Sequence, residues 1–167
     1  MQAAQWILKH APNGAHLCSD SRTVAKGDVF FAYPGTSQDG RDYIAQAISQ
    51  GAALVLAEKE NFDASTLTAV PILTVPCLKE TAGEIAAAYY AHPTQDLKVI
   101  GITGTSGKTT TAQWTAHCLN ALGKKCAVIG TLGSGFIGAQ QQTGFTTPPA
   151  VELQRLFADL RSQGAEA

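Results

Sequence analysis

The sequence predicts an α/β protein: a small amino-terminal α/β domain over residues 1–92, then, over 97–167, the first part of a parallel-sheet domain that opens with a P-loop. Three observations carry this. Strand and helix signals alternate along the chain. A polar stretch with a helix breaker, His92-Pro93-Thr94-Gln95-Asp96, separates two periodic regions. After it, an apolar run of the buried-strand kind enters a glycine-rich turn and then a helix.

Taken in order, Val29 to Tyr33 is an apolar run closed by Pro34-Gly35 and reads as a strand entering a turn. Arg41 to Gln50 carries Tyr43, Ile44, Ala47 and Ile48 at helical spacing, with Gly51 where a helix takes its left-handed C-terminal residue. Ala53 to Ala57 and Ile72 to Val75 are short apolar strands, the second bracketed by Pro71 and Pro76. Lys79 to Ala91 is rich in helix formers, with Ile85, Ala86 and Tyr89 on one face, and should stop before Pro93. Beyond the polar stretch, Leu97 to Thr103 reads as a buried strand, Gly104 to Lys108 as a turn, Thr109 to Leu122 as a helix closed by Gly123, and Cys126 to Thr131 as a second buried strand. Leu132 to Gly138 and Gln140 to Thr143 read as loop. Pro148-Pro149 opens a last helix with Val151, Leu153, Leu156, Phe157 and Leu160 on its apolar side.

Composition excludes several classes. The 167 residues are 45% hydrophobic and 15% charged with a net charge of −1, the profile of a soluble globular chain. Twelve Lys and Arg lie among thirteen Asp and Glu with no basic patch, so neither nucleic acid nor membrane is an expected partner. No apolar run approaches the roughly 18 to 20 residues that span a bilayer, and the first ten residues lack a signal-peptide pattern, so the expected location is the cytoplasm. Cys18, Cys77, Cys118 and Cys126 form no Cys-x-x-Cys pair and read as small core residues, not metal ligands or bridges. His117 beside Cys118 makes no metal site, because adjacent helix positions point apart.

The chemistry lies in Val99-Ile100-Gly101-Ile102-Thr103-Gly104-Thr105-Ser106-Gly107-Lys108-Thr109-Thr110-Thr111. A buried strand, a glycine-rich turn and Gly-Lys-Thr at a helix start suit a polyphosphate, since curled backbone N–H groups and the helix dipole all favour an anion. Gly104, Thr105, Ser106, Gly107, Lys108, Thr109 and Thr110 are therefore the candidate ATP-binding residues. Lys108 is the candidate catalytic residue, reaching the β- and γ-phosphates, and the Thr109 hydroxyl is the candidate ligand of Mg²⁺. The usual P-loop spacing would put glycine at position 102, which is Ile102. Here it falls at Gly104.

That variant, Thr103-Gly104-Thr105-Ser106-Gly107-Lys108-Thr109-Thr110, resembles the phosphate loop of the Mur ligases and of their relative folylpolyglutamate synthase. The resemblance covers nearly the whole chain. Cys18-Ser19-Asp20-Ser21-Arg22, Lys26-Gly27-Asp28-Val29-Phe30-Phe31-Ala32 and Gly35-Thr36-Ser37-Gln38-Asp39-Gly40 look like the first Mur ligase domain, which holds the UDP end of the substrate. It implies that Ser19 and Ser21 contact the uridine nucleotide and that Thr36, Ser37 and Gln38 form the neighbouring loop. Gln142-Thr143-Gly144-Phe145-Thr146-Thr147-Pro148-Pro149 resembles the segment placed against the muramoyl-peptide part, so Thr146 and Thr147 carry over, while Phe145 stands where some members have Asn. Read without the family, Thr147 is the N-cap of the last helix.

The resemblance implies an ATP- and Mg²⁺-dependent ligase of peptidoglycan precursor synthesis, monomeric, joining a diamino acid to UDP-MurNAc-L-Ala-D-Glu through an acyl phosphate, with meso-diaminopimelate ahead of L-lysine. Asp39-Gly40-Arg41-Asp42-Tyr43-Ile44 and Thr146-Thr147-Pro148 favour this branch over a neighbouring one. It also implies that the 167 residues are an amino-terminal fragment, with the central domain cut roughly in half, unable to complete the reaction alone. Two other classes stay open. A small P-loop kinase or NTPase would want an aspartate after a later strand, and Cys126 to Thr131 ends without one. A non-catalytic nucleotide-binding module is the other.

Overall fold

The structure, a computed structural model, describes residues 2–64 and 69–167. It divides into two compact units: Met1–Ala91 together with Ala150–Arg155, and His92–Pro149 together with Leu156–Ala167.

The first unit is built on four parallel strands in the order β1 (Leu17–Cys18), β2 (Val29–Ala32), β3 (Leu54–Glu58) and β4 (Ile72–Val75). Parallel strands need both faces covered, which is why β2 and β3 read as unbroken apolar runs. Alternate residues serve opposite cores. Leu17, Val29, Phe31, Leu54 and Leu56 join Ile7 of helix α1 (Gln2–His10), Leu78, Ala82 and Ala86 of helix α3 (Leu78–Tyr89), and Val151. Cys18, Phe30, Ala32, Val55 and Ala57 join Ile44 and Ala47 of helix α2 (Ile44–Gln50). The predicted helix from Arg41 is in fact a 3-10 turn, Gly40–Tyr43, followed by α2, because Asp39 caps the turn at Arg41. Gly51 is left-handed, as its place predicts.

Buried Glu58, at the end of β3, accepts N–H bonds from Lys59 (2.9 Å), Cys77 (3.1 Å) and Leu78 (2.7 Å). Helix α3 has no cap from its own Cys77 side chain, so this carboxylate supplies the acceptor that its N-terminus lacks.

The second unit departs further from expectation. Leu97 to Thr103, expected as a buried strand, is not one. Leu97 packs with Leu160 and Ala165, but Val99 and Ile100 are 52% and 48% exposed. A parallel ladder needs a neighbour. Glu166 and Ala167 begin one: the Glu166 carbonyl accepts from Lys98 and the Ala167 carbonyl from Ala127, and this pairing does not reach Val99. The expected strand at Cys126 forms as β5 (Ala127–Gly130), yet it pairs antiparallel with β6 (Gly133–Phe136), which the sequence reads as loop. Helix α4 (Lys108–Ala121) is tied to the start of β5 by Asn120, which donates to the Cys126 carbonyl (3.1 Å) and accepts from the Cys126 N–H (3.0 Å). Its Ala116 packs on Cys126 and Val128. The last helix, α5, runs Ala150–Ser162, and Phe157 and Leu160 serve the second unit's core. Its N-cap is Pro149, with no side-chain cap, so Thr147 does not cap it.

Cys18 and Cys126 are buried as expected, whereas Cys77 and Cys118 are exposed. The α4 register and the left-handed position before α3 turn those two outward.

Candidate functional site

In a parallel sheet, strand ends carry the ligand-binding loops at their carboxyl edge. Cys18 pairs with Phe30, so the loops leaving β1 and β2 emerge on the same edge of the first unit. The two loops are built alike. Asp20 caps the 3-10 turn Ser21–Thr23 by accepting from Arg22 N–H and holds the Arg22 guanidinium at 2.7 Å; Asp39 does the same with Arg41 at 2.5 Å. The guanidinium in each pair holds the partner carboxyl below the ordinary carboxylate range. Arg41 also lies over the Phe62 ring.

The sequence-predicted residues of this edge differ in what they present. Ser21 is buried, and its hydroxyl donates to Gln46 at 3.3 Å. Thr36, Ser37 and Gln38 are exposed in the turn after β2, which Gly35 N–H closes on the Gln38 carbonyl at 2.7 Å. Ser19 is half-buried and bound to a residue that the sequence does not point to. Glu152 accepts from its N–H at 2.7 Å, and its hydroxyl lies 2.8 and 2.9 Å from the two carboxylate oxygens. Burial pushes the nearby Tyr33 phenol up; the Ser19 side chain opposes this, and the Glu152 charge adds to it. Burial likewise raises the Cys18 thiol, whose Sγ bonds Asp20 O and Thr23 Oγ1, so it is no poised nucleophile.

In the second unit, Gly104 and Gly107 adopt φ of +147° and +79°, which lets the turn curl before α4 begins at Lys108. A Cβ on Gly107 would meet nothing within 4 Å. Gly104 to Gly107 are exposed, Lys108 and Thr109 half-buried, and Thr110 exposed. Lys108 Nζ donates to the Gly104 carbonyl at 2.5 Å, folding its charge over the turn. The first N–H groups of α4 lack intrahelical acceptors and add positive potential there. Thr146 and Thr147 are exposed, with Thr146 Oγ1 3.4 Å from Thr131 Oγ1. Among the described residues no group of three His, Cys, Asp or Glu side chains could hold a metal, and no helix is long and apolar enough to cross a membrane.

A parallel sheet with polar strand-end loops in one unit, and a glycine-rich turn opening a helix in the other, define an α/β protein. Residues 15–90 match the family model described as Mur ligase family, catalytic domain, and residues 102–167 match the Mur ligase middle domain. The chain belongs to the Mur ligase family. It is similar to UDP-N-acetylmuramoyl-L-alanyl-D-glutamate--2,6-diaminopimelate ligase of Janthinobacterium sp. (strain Marseille), 49% identical over 97% of this chain and 33% of the relative. It is also similar to the ligase of that name from Coxiella burnetii (strain RSA 493 / Nine Mile phase I), 47% identical over 90% of this chain and 31% of the relative. A solved structure of a ligase of that name matches with a TM-score of 0.66 at 30% identity, over 90% of this chain and 30% of that one. MurF from Acinetobacter baumannii shares the fold, with a TM-score of 0.61 at 23% identity over 96% of this chain and 32% of that one. The chain thus spans about a third of the length of the curated relatives it matches.

Proposed function

We propose that the chain supplies the substrate-nucleotide and ATP-binding parts of an ATP-dependent ligase that joins a diamino acid, meso-diaminopimelate, to UDP-MurNAc-L-Ala-D-Glu. The observation that carries this is the glycine-rich turn before α4, with Lys108 folded over it. The 47 to 49% identity to diaminopimelate ligases over nine tenths or more of the chain supports the choice of substrate.

The turn fits a polyphosphate. Its left-handed glycines, exposed residues and helix N-terminus suit an anion, and Lys108 is a cation already within reach of the turn's backbone. The Thr109 hydroxyl is a hard oxygen donor of the kind that Mg²⁺ takes, and Mg²⁺ commonly relies on few protein ligands beside phosphate oxygens and water. The chemistry supplied there would be transfer of the terminal phosphoryl group of ATP to the substrate carboxylate, leaving ADP and an acyl phosphate, from which the amine of the incoming diamino acid would displace inorganic phosphate to form the amide. Lys108 leaves the Gly104 carbonyl to neutralise phosphate charge. Gly104, Thr105, Ser106, Gly107 and Thr110 line the cradle. Ser19, Ser21, Thr36, Ser37 and Gln38 serve the uridine nucleotide, and Thr146 and Thr147 the muramoyl-peptide part.

The test is titration of a fluorescent ATP analogue with Mg²⁺ into the chain and into Lys108→Ala. Saturable binding weakened at least about tenfold by the substitution supports the reading. Equal binding by both would end it.

A further inference from the structure

Ser19 has two hydrogen-bond donors, its N–H and its hydroxyl proton, and Glu152 takes both. What Ser19 has left are acceptors: a hydroxyl lone pair and its carbonyl. The result is that Ser19, at the end of β1, is tied by its backbone and its side chain to Glu152 in the first turn of α5. Charged acceptors make the stronger hydrogen bonds, and two donors from one residue on one carboxylate fix both its backbone and its side chain. β1 is only two residues long, so its own ladder holds the following residue weakly.

From this we infer that Glu152 is a positioning residue of the uridine-nucleotide subsite, acting through Ser19. The inference rests on the assignment of that subsite to the strand-end loops of the first unit. Glu152 touches no nucleotide itself. It holds Ser19 as an acceptor, the state that meets a base donor such as the N3–H of uracil, and it anchors the start of the Asp20-Ser21-Arg22 turn.

The experiment is calorimetric titration of UDP into the 167-residue chain, Glu152→Ala, Glu152→Gln, Ser19→Ala and the Ser19→Ala/Glu152→Ala double variant, each checked for folding by thermal melting. Glu152→Ala is expected to weaken UDP binding by about tenfold while melting cooperatively, which corresponds to about 1.4 kcal/mol. Glu152→Gln, whose amide oxygen still accepts one bond from Ser19, should restore part of that loss. The double variant should lose less than the product of the two single losses, because both remove one interaction. Multiplicative losses, or UDP binding unchanged in a folded Glu152→Ala, overturn the role of Glu152 while leaving the subsite in place. No UDP binding by the folded parent chain overturns the subsite and this inference together. If Glu152→Ala does not fold, Glu152→Gln alone decides, and its affinity must fall measurably while its melting temperature stays near that of the parent.

Discussion

Replacing Glu58 by alanine tests how a helix can be capped from another element. The carboxylate is 8% exposed and accepts the N–H groups of Lys59, Cys77 and Leu78, with Glu60 at a longer 3.4 Å. Lys59, Glu60 and Cys77 are exposed, so water replaces much of what their amides lose. Leu78 is fully buried, and its N–H is left without an acceptor, which costs about 1–3 kcal/mol. Glu58→Ala should therefore lose about 1–3 kcal/mol, and Glu58→Gln, which keeps one acceptor oxygen, about half of that. The assay is urea unfolding in a Trp114→Phe background. Of the chain's two tryptophans this leaves Trp6, which packs against the first unit's core. A loss under about 0.5 kcal/mol for Glu58→Ala, or equal losses for Ala and Gln, would refute the capping argument.

Other outcomes follow from the same structure. Asp39→Asn should destabilise the chain near neutral pH and make no difference in strong acid. The folded carboxyl titrates below its ordinary 3.8, so its stabilisation is present above that pH and fades as pH falls through the folded value; melting curves at pH 7 and pH 2.5 check this. Phe31→Ala, emptying a site 1% exposed between β2 and its helices, should cost about 3–5 kcal/mol by urea unfolding. Gly133→Ala should disrupt the pairing of β6 with the segment that follows it, because a Cβ there would press into the Gln141 carbonyl at a φ of +114°; hydrogen exchange of the Ser134 and Gln141 amides, which bond each other's carbonyls, should become fast.

What the sequence made legible follows periodicity and punctuation. β2, β3 and β4 were read to within a residue or so, because β2 and β3 are buried on both faces and prolines bracket β4. Helix α4 and the turn before it were legible from Gly104, Gly107 and Lys108. Helix α1 was missed, since Gln2–His10 has no acidic first turn or capping signal and is ordered by packing Ala4 and Ile7 on the sheet. β6 was hidden by its glycines, which look like loop but are needed where carbonyls of Ala139 and Gln141 press close. The strand expected at Leu97 to Thr103 failed for the opposite reason: its apolar sequence is right, and among the described residues none forms a ladder with it. Among site residues, Ser19 was named from the family resemblance alone. Glu152 was not named, because an acid in a helix's first turn carries no sign of a partner 133 residues earlier.

The most direct test of the central claim is calorimetric titration of UDP-MurNAc-L-Ala-D-Glu into the folded chain and into Lys108→Ala. The account predicts saturable binding, competed by UDP and retained in Lys108→Ala, because the uridine subsite belongs to the strand-end loops of the first unit. A folded chain that takes no UDP-MurNAc-L-Ala-D-Glu, while still binding ATP with Mg²⁺, would contradict it.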